Sequence, residues 1–264
     1  MFRGKLMTDQ EFIDDRQIAQ FNDQGFFIAR GLFSTDEVAD VRNEISTIMR
    51  PYPNVPDGLV QMEPTVRRGE VTPVTPELGV RKLFRMTAHS AFFRHLAFHP
   101  GMIEIATTLT GPDIALFQSM LLMKPPHFGG QKIWHQDNAY FRLVPNTIVG
   151  FWVACDDADP ENGCMHVIPG SHRNGITEHG GVADDYGMLQ PPSLTDAHPC
   201  PLREGDALVF HGELWHYTPP NDTDRRRRAI QYHYAPTRCR SAQDSPFDPK
   251  QYELVVAGEG AEDP

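Results

Sequence analysis

"DALVFHGELWHYTPPNDTDRRRRAIQYHYAP", residues 206–236, contains two short runs of β-branched and aromatic residues separated by a stretch dense in Gly, Pro, Asn and Asp. Runs of this length bounded by turn formers read as strands rather than helices. The same pattern recurs upstream in "IALFQSMLLMK" (114–124), "KIWHQDNAYF" (132–141), "TIVGFWVACDD" (147–157) and "CMHVIPGSH" (164–172). No long helical period intervenes. Recurrent short strands with turn signals predict an antiparallel sandwich or barrel from Asp113 onward.

Before Asp113 the character is different and reads as helices around one strand. "GFFIARGLF" (25–33) is the strand candidate. Ser34 and Glu37 then have the spacing of a helix-capping box, and Val38, Val41, Ile45 and Ile48 recur at helical intervals as a buried stripe. Residues 51–80, broken by prolines and three glycines, read as loop. Residues 90–111 read as two short helices, with Pro100 in a first turn and Gly111 as a stop. The expected organisation is one domain over residues 1–240, with a helical flank to about 112 and a barrel core over 113–238. An acidic tail over 241–264 is expected to fray at its end, "AGEGAEDP".

The chain has 264 residues, of which 40% are hydrophobic and 22% charged, which suits one domain with a full core. Its net charge of −11 argues against nucleic-acid or anionic-membrane partners and leaves a small molecule as the expected partner; it says nothing of oligomeric state. No stretch has the length and apolarity of a membrane span, and the N-terminus lacks a secretory pattern, so a cytoplasmic setting is expected. The four cysteines form no CxxC pair and read as reduced thiols.

On an extended strand, residues i and i+2 share a face, so His135 and Asp137 are expected to project together. Alone, H-x-D is weak: 12 histidines in an Asp-rich chain produce such a pair by chance. It gains meaning if a later strand adds a third ligand, because two histidines and one carboxylate hold Fe(II) and leave positions open. His211 and His216 are the two candidates. Periodicity does not choose between them, and a structural, hydrogen-bonded role is equally open to both.

The segments "QSMLLMKPPHFGG…WHQDNAYF", "GFWVACDDADPENGCMHVIPGSH" and "REGDALVFHGELWHYTPPNDTDRRRRAIQYHY" resemble the phytanoyl-CoA dioxygenase family, most closely its phytanoyl-CoA dioxygenase domain-containing members. The similarity runs in order from Gly25 to about Pro236. It implies a mainly β fold, a double-stranded β-helix or jelly-roll barrel with flanking N-terminal helices. It also implies an Fe(II)- and 2-oxoglutarate-dependent dioxygenase that uses O₂ to hydroxylate an unactivated C–H bond. Matched residue by residue, His135, Asp137 and His216 correspond to the iron ligands and Arg227 to the arginine that binds 2-oxoglutarate. Thr218, Trp152, Lys82, Met120 and Gln136 correspond to other positions of the cosubstrate pocket. A carboxylate at 137 argues against the halogenating relatives, which carry a small residue there.

Independently of the resemblance, Gly150 and Ala154 share a face with Trp152, and two small neighbours are expected to leave room for a ligand. Arg225, Arg226 and Arg228 are expected to be solvated. The irregular 57–80 and 175–200 stretches are expected to shape the substrate pocket, with Asn138, Tyr140 and Phe141 near it. A CoA ester is less attractive for an acidic chain, although Arg67, Arg68 and Arg81 keep it open. Two other classes remain: a non-catalytic metal- or ligand-binding barrel, and a cupin-like dioxygenase that needs no 2-oxoglutarate.

Overall fold

The computed structural model describes residues 11–49, 55–242 and 252–264. Helix α1 (Asp15–Gln24) opens on a capping box between Asp14 and Gln17 and ends at Gly25, whose φ of 83° suits glycine. Strand β1 (Phe26–Ala29) follows. Helix α2 (Thr35–Ile48) starts on the expected Ser34–Glu37 capping box, and its buried residues are Val38, Val41, Ile45 and Ile48, the stripe read from the sequence. Each such side chain contributes about 1.5–3 kcal/mol on burial.

The stretch read as loop contains more structure than expected. Strand β2 (Val60–Met62), helix α3 (Pro64–Arg67) and strand β3 (Val80–Phe84) lie within or just after it, and β2 pairs with β3. The N-terminal part therefore supplies three strands, not one. Their polar content hid them: Gln61 and Lys82 sit on strands bordering a cavity, where an apolar pattern is not required. Helices α4 (Ala91–Leu96) and α5 (Pro100–Thr110) match the two helices expected, with Pro100 in the first turn and Gly111 at the end.

The second half is strand after strand: β4 (Ile114–Lys124), β5 (Lys132–His135), then the single turn α6 (Asn138–Phe141), β6 (Leu143–Val144), β7 (Val149–Ala154) and β8 (Met165–Val167). It continues with β9 (His179–Val182), β10 (Asp185–Met188), β11 (His198–Cys200), β12 (Ala207–His211), β13 (His216–Thr218), β14 (Arg227–Pro236), β15 (Arg240–Ser241) and β16 (Leu254–Ala257). Among the described residues, eight strands form one antiparallel sheet in the order β1-β12-β7-β14-β4-β3-β2, with β16 also on β4. A four-stranded sheet, β11-β8-β13-β5, lies opposite. This is the jelly-roll barrel.

The alternation of side chains divides the larger sheet. Val149, Phe151, Val153, Ile230, Tyr232 and Tyr234 join the main apolar core with α2, α4 and α5, while Trp152, Ala154, Leu208, Phe210 and Ala229 turn into the barrel. All four cysteines are buried and unbonded, as expected. Among the described residues, no helix is long and apolar enough to cross a membrane.

The acidic tail is the clearest correction. Leu254–Ala257 forms a strand on β4, with Leu254 opposite Leu116 and Val255 opposite Ala115. Glu262 accepts from the Val255 N–H at 3.0 Å and pairs with Arg94 at 3.0 Å. Four apolar residues, "LVVA", suffice because β4 offers a ready-made edge. Asp244, Asp248 and Lys250 of that tail lie outside the described residues.

Candidate metal centre and cosubstrate pocket

Strands β5 and β13 pair so that His135 stands opposite His216, with ring centroids 4.0 Å apart. The local reason both point inward is the same. Each imidazole Nδ1 lies against the backbone carbonyl two residues earlier, His135 on Ile133 at 2.8 Å and His216 on Leu214 at 2.9 Å. An Nδ1–H donating to that carbonyl leaves Nε2 as a lone pair facing the interior. Burial lowers the pKa of both rings, so both stay neutral, the form a metal ligand needs.

Asp137 reaches the same point by another route than the one expected. β5 ends at His135, and Asp137 has φ −64° and ψ −38°, a helical residue at the head of α6. The turn, not strand alternation, brings its Oδ1 to 3.6 Å from Nε2 of both histidines. Its other oxygen accepts from His233 at 2.7 Å and from the Gln231 amide at 3.2 Å. Burial would raise this carboxyl, but the facing His233 and His216 outweigh it and hold the group at about 2. It is therefore ionised. One donor atom from each of His135, Asp137 and His216 lies within 4.8 Å of the others. Two neutral imidazoles and a carboxylate with positions left open suit Fe(II).

The triad opens on a cavity of about 700 Å³. Lys82, Met120, Trp152, Thr218 and Arg227 all line it. Arg227, only 2% exposed, begins β14. Its guanidinium lies over the Trp152 ring at 5.1 Å and donates to the Leu122 carbonyl at 3.2 Å, while its Nε has no partner. Burial lowers Arg227 to about 10 without discharging it at neutral pH. Lys82 also faces the cavity, where burial, then the charges of Lys132 and Arg81, lower it to about 7.

Gln136 is not with them. Its amide donates to the carbonyls of Gly175 at 2.9 Å and Glu213 at 2.8 Å, and its Oε1 accepts from the Thr177 N–H at 2.9 Å. It braces the segment behind the triad, because the turn that brings Asp137 inward carries Gln136 outward. Asn138 likewise bonds Glu213 at 2.9 Å, whereas Tyr140 and Phe141 do line the cavity. Leu59 and Gln61 reach it from the 57–80 stretch, and Asp184, Asp185 and Tyr186 from the 175–200 stretch.

Two further expectations are corrected. The space beside Trp152 at Gly150 is filled: a β-carbon there would meet the Phe210 ring at 2.5 Å. Arg226 and Arg228 are not simply solvated, since Arg226 pairs with Glu77 at 2.8 Å and Arg228 grips Asp156 with bonds of 2.9 and 2.7 Å. The exposed Arg225 pairs with Asp159 at 2.6 Å. His211 has no part in the triad; its Nδ1 accepts from the Glu213 N–H at 3.0 Å, and its ring lies 5.2 Å from that of His172.

Lys124, Lys132, Gln231 and the carboxylate-holding role of His233 were missed. Lys124 stands opposite Arg227 on β4, and its ammonium bonds the Gly130 carbonyl. Lys132 bonds Asp185 and donates to the Tyr140 hydroxyl at 3.0 Å. A signal for two of these existed: Arg227, Gln231 and His233 are spaced by even numbers on one strand, so placing Arg227 inward places the others inward too.

The model of the phytanoyl-CoA dioxygenase family matches residues 21–229. The peroxisomal phytanoyl-CoA dioxygenase of Rattus norvegicus is 29% identical, the alignment covering 88% of this chain and 71% of the rat protein. Phytanoyl-CoA dioxygenase domain-containing protein 1 of Mus musculus is 26% identical over 82% of this chain and 88% of its own length. Among solved structures, EctD from S. alaskensis with bound Fe superposes with a TM-score of 0.73 at 22% identity, covering 96% of this chain and 87% of that one. That likeness supports the barrel. Fold and site thus define an oxygenase of the iron and 2-oxoglutarate class, and the chain belongs to the phytanoyl-CoA dioxygenase family.

Proposed function

We propose that the protein hydroxylates an unactivated C–H bond of a small-molecule metabolite, with 2-oxoglutarate and O₂ converted to succinate and CO₂. The observation that carries this reading is the joint placement of the His135, Asp137 and His216 donor atoms within 4.8 Å and the buried Arg227 on the wall of one cavity. Bound Fe(II), with 2-oxoglutarate and O₂, supplies the oxidising chemistry. The chain supplies the rest.

His135, Asp137 and His216 would hold the metal, and His233 with Gln231 anchors the second carboxylate oxygen of Asp137. Arg227 and Thr218 take the distal carboxylate of 2-oxoglutarate, for which a planar guanidinium offers a two-pronged fit that a lysine lacks. The Trp152 ring lies under that guanidinium, 5.1 Å from its centre. Lys82 adds positive charge for the dianion, and Met120 and Phe141 keep water from the reacting end. One domain over residues 1–240, completed by β16, carries these functions. A cytosolic setting is proposed with it, supported by the four cysteines, all of which are free thiols.

The test is an anaerobic titration of the metal-free protein with Fe(II) and 2-oxoglutarate, followed by the visible metal-to-ligand charge-transfer band. A band is expected in the wild type and its loss in His135→Ala, Asp137→Ala and His216→Ala. Arg227→Ala should retain metal yet weaken 2-oxoglutarate by about two orders of magnitude, since a charged, buried hydrogen-bonding partner is removed. Unchanged 2-oxoglutarate affinity in Arg227→Ala would favour the cupin-like alternative, and iron loading with no band would favour the binding barrel.

A further inference from the structure

The outer edge of β4 is shared by two strands from opposite ends of the chain. β3 covers one part, with Phe84 opposite Met120, and β16 covers another, with Leu254 opposite Leu116. Arg85 stands at the junction, where its N–H donates to the Ser119 carbonyl at 2.8 Å. Its backbone is left-handed, φ 56° and ψ 45°, a conformation that a β-carbon disfavours. On β3, Lys82 and Phe84 face the cavity while Leu83 joins the core, so an extended residue 85 would follow Leu83 inward. The left-handed turn instead leaves Arg85 exposed on the cavity wall. A non-glycine residue held this way beside a cavity is strain of the kind that marks function.

The charges around it sharpen the point. Arg81 pairs with Glu63 at 3.2 Å, Lys132 with Asp185, and Lys124 bonds the Gly130 carbonyl. Glu253, the acid at this junction, is satisfied by the Ser119 N–H at 2.9 Å and by the hydroxyls of Ser119 and Thr87. Among the described residues Arg85 makes no ion pair. The wall beside it is apolar and aromatic, with Phe117 and Phe141 stacked edge to face at 4.9 Å.

Resting on the oxygenase reading above, we infer that Arg85 binds a carboxylate of the substrate, and that this substrate is a monocarboxylate whose apolar body lies against Phe84, Phe117 and Phe141. A single free guanidinium matches one planar carboxylate. A CoA ester would need several free cations for its phosphates. Those at the rim are engaged, Arg67 by Asp184 at 3.0 Å and Arg68 by Glu70 at 2.6 Å.

Three probes separate these cases: 3-phenylpropionate, 3-phenylpropanamide and 3-phenylpropionyl-CoA. Each is titrated anaerobically into the protein loaded with Fe(II) and 2-oxoglutarate, with perturbation of the charge-transfer band as the readout. The carboxylate should bind about tenfold more tightly than the amide or the CoA ester, as a charge-assisted bond requires. Arg85→Ala should erase that ratio and Arg85→Lys should restore part of it. A purely structural role would weaken all three probes alike and leave the ratio intact. Equal affinities in the wild type, a ratio that survives Arg85→Ala, or no binding of the carboxylate overturns the assignment. Absence of the band before any probe is added would instead sink the oxygenase reading, so the two failures are distinguishable.

Discussion

On β7 and β14, Val149, Phe151, Val153, Ile230, Tyr232 and Tyr234 look toward the helices, and Gly150, Trp152, Ala154, Arg227, Gln231 and His233 look into the barrel. The two sets alternate along the same strands. On the helix side every polar atom is used up: the Tyr232 hydroxyl donates to the Phe93 carbonyl and the Tyr234 hydroxyl to that of Ala97, each at 2.8 Å. On the barrel side the Arg227 Nε and the His233 Nδ1 are left without partners. A buried polar atom without a partner costs about 1–3 kcal/mol, and the apolar face is what offsets it. The comparison teaches that one face fixes the register and the other inherits it, since a slip of one residue would exchange them.

Three changes should break or sharpen this division. The largest is on the helix side: Phe151→Ala should destabilise the fold by about 3–5 kcal/mol, read by denaturant unfolding, with 2-oxoglutarate affinity of the folded protein unchanged. A fall in that affinity would mean the faces are not independent. The next is on the barrel side. His233→Ala removes the nearer of the two donors to Asp137 and should weaken Fe(II) binding by about 10- to 100-fold, with a much smaller change in stability. Full metal affinity would show that the carboxylate needs no such support.

The smallest effect is a pH dependence. Lys82, lowered to about 7 by burial and then by Lys132 and Arg81, is uncharged in the empty pocket above that pH. A bound dianion favours the charged form, so 2-oxoglutarate affinity should be full below about 7 and fall by up to about tenfold per pH unit above it. In the ligand-free protein the sign is opposite. The unfolded chain holds more protons between about 7 and the ordinary lysine value, so stability rises with pH across that window. Lys82→Met should flatten both profiles; a 2-oxoglutarate profile that persists would assign the titration to another group.

Much of this was legible in the residues. The α2 stripe and cap, the strand-rich second half and the inward Trp152 follow from periodicity, which is local. The choice of His216 over His211 came from the resemblance; the structure places a turn between the two and only His216 beside His135. What escaped was non-local or depended on a single backbone turn. β2 and β3 hid behind polar side chains that a cavity tolerates. Asp137 points inward through a helical turn that no alternation rule foresees, and the same turn sends Gln136 away. The space beside Trp152 looked free because Phe210, which fills it, lies on another strand. Gly150 has no β-carbon, so the tip of this ring can approach its backbone.

The strand β16 has a practical consequence for anyone handling the protein. A truncation at residue 242, invited by the acidic composition of residues 243–264, would trim a wall rather than a tag. It would bare the β4 edge at Ile114–Leu116 and remove Glu253 from Ser119 and Thr87, leaving those buried hydroxyls without their acceptor. Such a shortened protein would expose an unpaired strand edge, a template for self-association. Aggregation of that variant would then report on how the barrel is closed and say nothing about its chemistry.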